Sequence, residues 1–245
     1  MFNYLLTIEY EGTRYKGFSN PKSSNTVSDH LFSALSRFAG CDETEIAVGV
    51  KTEPGVHAIH QTVNFHTEQS LDEAKLMKEL NDGLPQDIAV REVRRVSERF
   101  HSSLNLKECT YLYKIDTGRY ASVFKRNHSV HAAGIPDTDR MDKCAKCLIG
   151  KHDFKNFCNL RKKKNTIHTI TELTLIKDEE NEELLLKMSA DRFLKGMPLM
   201  IADLLIKAGR GEIDENEVKK ALEADSYPFS SVFAGGLYLL DTTYL

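Results

Sequence analysis

Apolar and polar positions alternate from Tyr4 to Tyr10, the period of a half-buried strand. Gly12, Gly17 and Pro21 then mark a loop. From Thr26 to Phe38 the spacing changes to that of a helix, with Val27, Leu31, Ala34, Leu35 and Phe38 on one face and Gly40 as its C-terminal cap. Ile46–Val50 predicts a short strand, and Val63–His66 the core of another. Ser70 with Glu73 has the spacing of a capping box, opening a helix to about Asn81 that Gly83 and Pro85 close. Ile88–Val96 returns to strand.

The second half repeats this order. Cys109–Ile115 predicts a strand, and Thr138–Leu148 a helix with Met141, Cys144, Ala145 and Leu148 inward. Ile167–Ile176 and Glu183–Met188 predict strands joined by a polar turn. Met197–Ala208 predicts a helix, Asn216–Ala224 a short extra one, and Leu237–Leu245 a last strand. Each half reads β-α-β-β-α-β, the split βαβ or ferredoxin-like order. The expected fold is therefore α+β, with two ferredoxin-like halves, a mainly antiparallel sheet and a central cleft. The halves are expected at 1–105 and 106–245, and clefts at such junctions bind ligands.

The 245 residues are 41% hydrophobic and 28% charged, enough apolar material for a sizeable core. The longest apolar run, near Met197–Ile206, is too short to span a bilayer and is interrupted by Asp203. The first residues, MFNYLLTIEYEG, do not read as a signal peptide. Five cysteines without a disulfide framework fit a reducing, cytoplasmic setting. Net charge is −3, so the chain as a whole does not attract nucleic acid, but Arg161, Lys162, Lys163 and Lys164 form a local basic run.

Several chemistries find no footing. Cys144-Ala145-Lys146-Cys147 is one CxxC without a second pair at metal spacing, and it lies inside a predicted helix, where small apolar core residues are the simpler reading. There is no G-x-S-x-G elbow, P-loop or dinucleotide fingerprint, so nothing predicts a nucleotide cofactor. Lys195-Gly196-Met197 and Gly209-Arg210-Gly211 read as a helix start and a helix end. The stretch Lys51-Thr52-Glu53-Pro54-Gly55-Val56-His57-Ala58 differs, because it carries charged groups on a Pro-Gly loop after a strand.

Extended to Gly49, that stretch resembles the A-G-R-T-D-A-G-V-H-A motif of the tRNA pseudouridine synthase A family, matching at Thr52, Gly55, Val56, His57 and Ala58. Further similarities run in order along nearly the whole chain. Tyr10-Glu11-Gly12-Thr13 resembles Y-D-G-T, and Tyr111-Leu112-Tyr113 resembles Y-R-Y. Gly150-Lys151-His152-Asp153-Phe154 with Phe157 resembles G-x-H-D-F-x-x-F. Phe193-Leu194 with Met197 resembles F-L-x-x-M-V-R.

The resemblance implies isomerisation of uridine to pseudouridine in the anticodon arm of tRNA, by a cofactor-free homodimer of two ferredoxin-like halves. The glycosidic bond breaks, the uracil turns, and a carbon takes the place of the nitrogen on the ribose. It implies Glu53 at the family's catalytic carboxylate, acting covalently or through a glycal. It implies Lys51 at an arginine position beside it, and Tyr111 stacked on a target base drawn from its stack. His57, Arg99, His101, Lys151, Arg161–Lys164 and Lys195 would meet RNA.

The chain departs from the family pattern at that site. Glu53 replaces aspartate, Lys51 arginine, Pro54 alanine, and Leu199 the arginine of M-V-R. Glu53 carries its carboxylate roughly 1 Å further out, a shift that can cost on the order of 10²-fold in rate. Pro54 predicts an altered loop backbone. Lys51 keeps its charge without arginine's planar fork, and Leu199 removes a positive neighbour that would favour the ionised carboxylate. The alternative expectation is a catalytically impaired paralogue that binds structured RNA without turnover.

Overall fold

A computed structural model describes residues 1–19, 22, 25–40, 46–132, 136–158, 165–224, 227–229 and 233–245. The chain divides into two compact units. The first is Met1–Lys107 with Leu239–Leu245, and the second is Glu108–Tyr238. The division falls close to residue 105, but the end of the final strand groups with the first unit rather than the second.

In the first unit the elements run β1 (Phe2–Tyr10), α1 (Val27–Ala39), β2 (Ile46–Val48), β3 (His57–Thr67), α2 (Glu73–Gly83) and β4 (Ile88–Val96). β1 lies between β3 and β4, antiparallel to both, and β2 pairs antiparallel with β3. The part of β10 (Leu237–Tyr244) that belongs to this unit also neighbours β3. β1 is not half-buried as its alternation predicts: Asn3, Leu5 and Thr7 are buried as well as Tyr4, Leu6 and Ile8, because β1 lies between two strands with both faces covered, and Tyr4 stacks on Phe65 at 5.7 Å. Thr26 caps α1 in a capping box with Asp29, and Gly40 closes the helix at φ 60°, as its sequence position predicted.

The α2 cap differs from expectation. Asp72, not Ser70, is the N-cap, and its Oδ1 accepts from Lys75 N at 2.8 Å. Glu73 points elsewhere, its Oε1 accepting from Arg95 N at 2.7 Å. Asp72→Ala is expected to destabilise the fold by about 1 kcal/mol. Ser70→Ala should leave the urea midpoint nearly unchanged, and reversal of that order would restore the Ser70 cap.

The second unit runs β5 (Leu106–Asp116), β6 (Val130–His131), α3 (Thr138–Lys146), β7 (Gly150–Asp153), β8 (Ile167–Asp178), β9 (Glu183–Ala190), α4 (Met197–Gly209) and α5 (Glu215–Glu223). Its strand order is β5-β9-β8-β7, antiparallel throughout, with β6 parallel to the end of β5. β6 and β7 are too short to show a period in the sequence. α4 starts at Gly196 (φ 84°) and is buried on most of its surface. Asp203 is tolerated there because Lys207 Nζ lies 2.8 Å away, one turn on. Cys144 is buried in α3 and its thiol is pushed up to about 11 by burial, while Cys147 caps the helix, in keeping with a packing role. The architecture is α+β with mostly antiparallel pairing. None of the helices among the described residues is long and apolar enough to cross a membrane.

Candidate active site

The Lys51–Ala58 stretch is a loop running into β3, whose first residue is His57. Val56 N donates to Glu53 O at 3.2 Å, closing a four-residue turn. Pro54 and Gly55 hold its two central positions, and Gly55 has φ 81°. This is the residue pattern of a type II turn, which favours proline second and requires positive φ third. Pro54 therefore suits a tight turn at this place.

Buried polar contacts pin the loop on both sides of Glu53. Gln61, fully buried, brackets Val50. Its Nε2 donates to Val50 O at 2.6 Å and its Oε1 accepts from Val50 N at 3.3 Å. Thr52 O accepts from Phe18 N at 3.1 Å, and Gly55 N donates to Tyr15 O at 3.3 Å. Thr52 Oγ1 and the Tyr10 hydroxyl are 2.7 Å apart, both buried. Polar groups at this depth are stable only when bonded, so each contact fixes a position. Glu53 itself is half-buried and Lys51 is exposed.

Two glycines make this closeness possible. A Cβ on Gly12 would lie 2.5 Å from the Val56 carbonyl carbon, and one on Gly17 would lie 2.7 Å from Thr52 O. Gly17 also has φ 94°, where only glycine is unstrained.

Tyr10 is pushed up to about 12, chiefly by burial. Hydrogen bonds from Thr52 and Gln61 oppose the rise, and the negative charge of Glu53 adds to it. The hydroxyl is therefore neutral at physiological pH. Because the folded value lies above the ordinary 10.0, its stabilising effect is complete below about pH 10 and is lost as pH climbs toward 12. Tyr10→Phe would leave Thr52 Oγ1 without this partner. We expect a loss of about 1–3 kcal/mol and less alkaline sensitivity above pH 10. Thermal melts across pH check this, and an unchanged melting temperature at neutral pH would contradict it.

His57 is 2% exposed, and its Nδ1 accepts from Gly12 N at 2.9 Å. Glu11 Oε1 also lies 3.3 Å from that nitrogen, a contact that would require a proton on it. The two arrangements exclude one another. The Gly12 N–H has its donor aimed at Nδ1, so the neutral ring fits the geometry. In this unit the ring braces the loop through its contact with Gly12.

The other expected residues are scattered. Arg99 is exposed, while His101 is half-buried and its Nδ1 accepts from Ser103 N and Leu104 N at 3.2 and 3.3 Å. Lys151, on β7, and Lys195, just before α4, are exposed. Arg161–Lys164 lie outside the described residues. Tyr111 is on β5 in the second unit, 2% exposed, with its ring edge-on to Phe193 at 5.4 Å. Leu199 is half-buried in the first turn of α4, behind Pro198. The structure thus brings together Lys51, Glu53 and His57 in one loop. It adds Tyr10, Gln61 and the two glycines, which the sequence reading did not assign to the site. Tyr10 closing the β1 alternation was the available signal, since a buried tyrosine needs a partner for its hydroxyl.

A model of the family described as tRNA pseudouridine synthase matches residues 144–244. The chain is 37% identical to tRNA pseudouridine synthase A 2 of Bacillus cereus (strain ATCC 10987 / NRS 248) over 243 residues, covering 98% of each chain. It is 34% identical to tRNA pseudouridine synthase A 1 of Clostridium tetani (strain Massachusetts / E88), covering 100% of both. By its matched motifs and by this end-to-end similarity, the chain belongs to the tRNA pseudouridine synthase family of isomerases.

Proposed function

We propose that this protein isomerises uridine to pseudouridine in the anticodon arm of tRNA, acting as a cytoplasmic homodimer. The observation that carries this reading is the pinned turn that presents Glu53. Backbone contacts at Val50, Thr52, Gly55 and Val56 fix the residues around the carboxylate, as catalysis by a positioned group demands. Glu53 supplies the carboxylate, acting covalently on the ribose or through a glycal. Lys51 supplies nearby positive charge. Tyr111 stacks on the target base once it leaves its stack. Arg99, His101, Lys151, Lys195 and the Arg161–Lys164 run contact phosphates.

The site of modification is tested with unmodified tRNA transcripts and separate anticodon-arm and T-arm hairpins, mapping pseudouridine by carbodiimide adducts and primer extension. Adducts confined to the anticodon arm are expected. Adducts in the T-arm hairpin alone would contradict the assignment.

Binding without turnover is the second reading. Its support is the glutamate's extra methylene on a turn whose Pro54 and backbone bonds oppose retracting it.

A further inference from the structure

The loop between β5 and β6 has no part in the site above. Its base is firmly held. Asp116 Oδ1 accepts from Gly118 N and Oδ2 from Ser122 N, each at 3.2 Å. Thr117 N donates to Glu182 O at 2.9 Å, and His131 Nε2 lies 3.0 Å from Gly118 O. Lys125 Nζ sits 3.5 Å from Asp116 and 3.4 Å from Glu183.

Despite that anchoring, the tip holds large apolar groups in water. Tyr120 is 76% exposed, Val123 65% and Phe124 90%. Arg119 Cζ lies 5.4 Å from the Tyr120 ring, and Arg126 is exposed beside them. No acidic residue occurs from 117 to 131, a stretch that contains Arg119, Lys125 and Arg126. A cavity of about 210 Å³ lies under the loop, lined by Ser122, Lys125, Arg126, His131 and Phe233 among others.

Exposed aromatic and apolar groups on a braced loop mark an interaction surface. The charge pattern chooses the partner. Aromatic rings interleaved with the exposed cations Arg119 and Arg126, with Lys125 engaging Asp116 and Glu183 at the loop's base, stack on unpaired bases while the arginines meet the phosphates. A second copy of the same patch would bring Arg119 and Arg126 against their own likeness, a repulsive pairing.

We propose that residues 119–126 form an accessory RNA-docking platform, with Tyr120 and Phe124 stacking on unpaired tRNA nucleotides outside the reacting uridine. This rests on the proposed tRNA substrate. Tyr120→Ala/Phe124→Ala is tested by fluorescence anisotropy with an unmodified tRNA transcript at fixed salt, beside Tyr120→Phe/Phe124→Tyr. The alanine pair is expected to weaken tRNA binding by about 5-fold or more for each ring lost. The ring-preserving pair should bind like wild type. Because both side chains are exposed, the melting temperature should not change. Arg119→Gln should lower the slope of log affinity against log salt by about 1.

Unchanged tRNA affinity in the alanine pair would overturn the proposal. So would a shift from dimer to monomer in sedimentation that accounts for the affinity loss. If wild type bound tRNA tightly without isomerising it, the catalytic reading would fail, and the platform would still be judged by the alanine pair. If wild type bound no tRNA, both would fail together.

Discussion

Glu53→Gln is expected to abolish pseudouridine formation while leaving tRNA affinity and the melting temperature close to wild type. The carboxamide has the carboxylate's shape but can act neither as nucleophile nor as base, and a loss of about 10²- to 10⁴-fold or more follows. Glu53 is half-buried on a turn anchored by backbone bonds of Thr52, Glu53, Gly55 and Val56, and a carboxamide of the same shape leaves those backbone bonds in place. Glu53→Asp is the sharper variant. It withdraws the carboxylate by roughly 1 Å, and a misplacement of that size costs on the order of 10²-fold. The fixed φ of Pro54 and the bonds at Thr52, Gly55 and Val56 oppose a forward movement of the backbone that would compensate. If Glu53→Asp were instead faster than wild type, the longer side chain would be a handicap, and the impaired-paralogue reading would gain. Single-turnover kinetics with excess enzyme separates this chemical step from binding.

Gly12→Ala is expected to have the second largest effect, although Gly12 carries no chemistry. A Cβ there runs into the Val56 carbonyl, which is backbone and cannot swing aside. The loop must shift, and the Gly12 N to His57 Nδ1 contact goes with it. We expect about 1–3 kcal/mol of destabilisation from overpacking, together with a fall in kcat of about 10²-fold from displacement of Glu53. Gly40→Ala is the control. Gly40 also has positive φ, at the end of α1, but a Cβ there would meet only the end of the Gln69 side chain, at 3.3 Å. It should cost about 1 kcal/mol of stability and leave kcat near wild type below the melting transition. Equal kcat losses in both variants would mean that Gly12 acts through global stability alone.

Helix ends were readable where local chemistry decides them, as at Gly40 and at Gly196 before α4. The α2 start was misassigned because Ser70 and Asp72 both have capping side chains within three residues, and only the fold shows which one faces Lys75 N. The loop's importance was legible from Thr52, Gly55, Val56, His57 and Ala58. How it is held was not. Tyr10 meets Thr52 across 42 positions, and Gly12 meets His57 across 45. Contacts of that separation leave no local periodicity. The same holds for the burial of His57 against Gly12. Pro54 occupies the second position of its turn, where proline is favoured.

Turnover at Glu53 is the central expectation, and release of tritium from the reacting uridine measures it. When C5 of uracil becomes the atom bonded to ribose, its hydrogen leaves for solvent. An unmodified tRNA transcript carrying 5-tritiated uridine, incubated with the wild-type protein without added metal or cofactor, should release tritium equivalent to one or a few uridines per tRNA. Glu53→Gln should release none. Absence of release with the wild-type protein in excess over bound tRNA would contradict the account and leave an RNA-binding protein without catalysis.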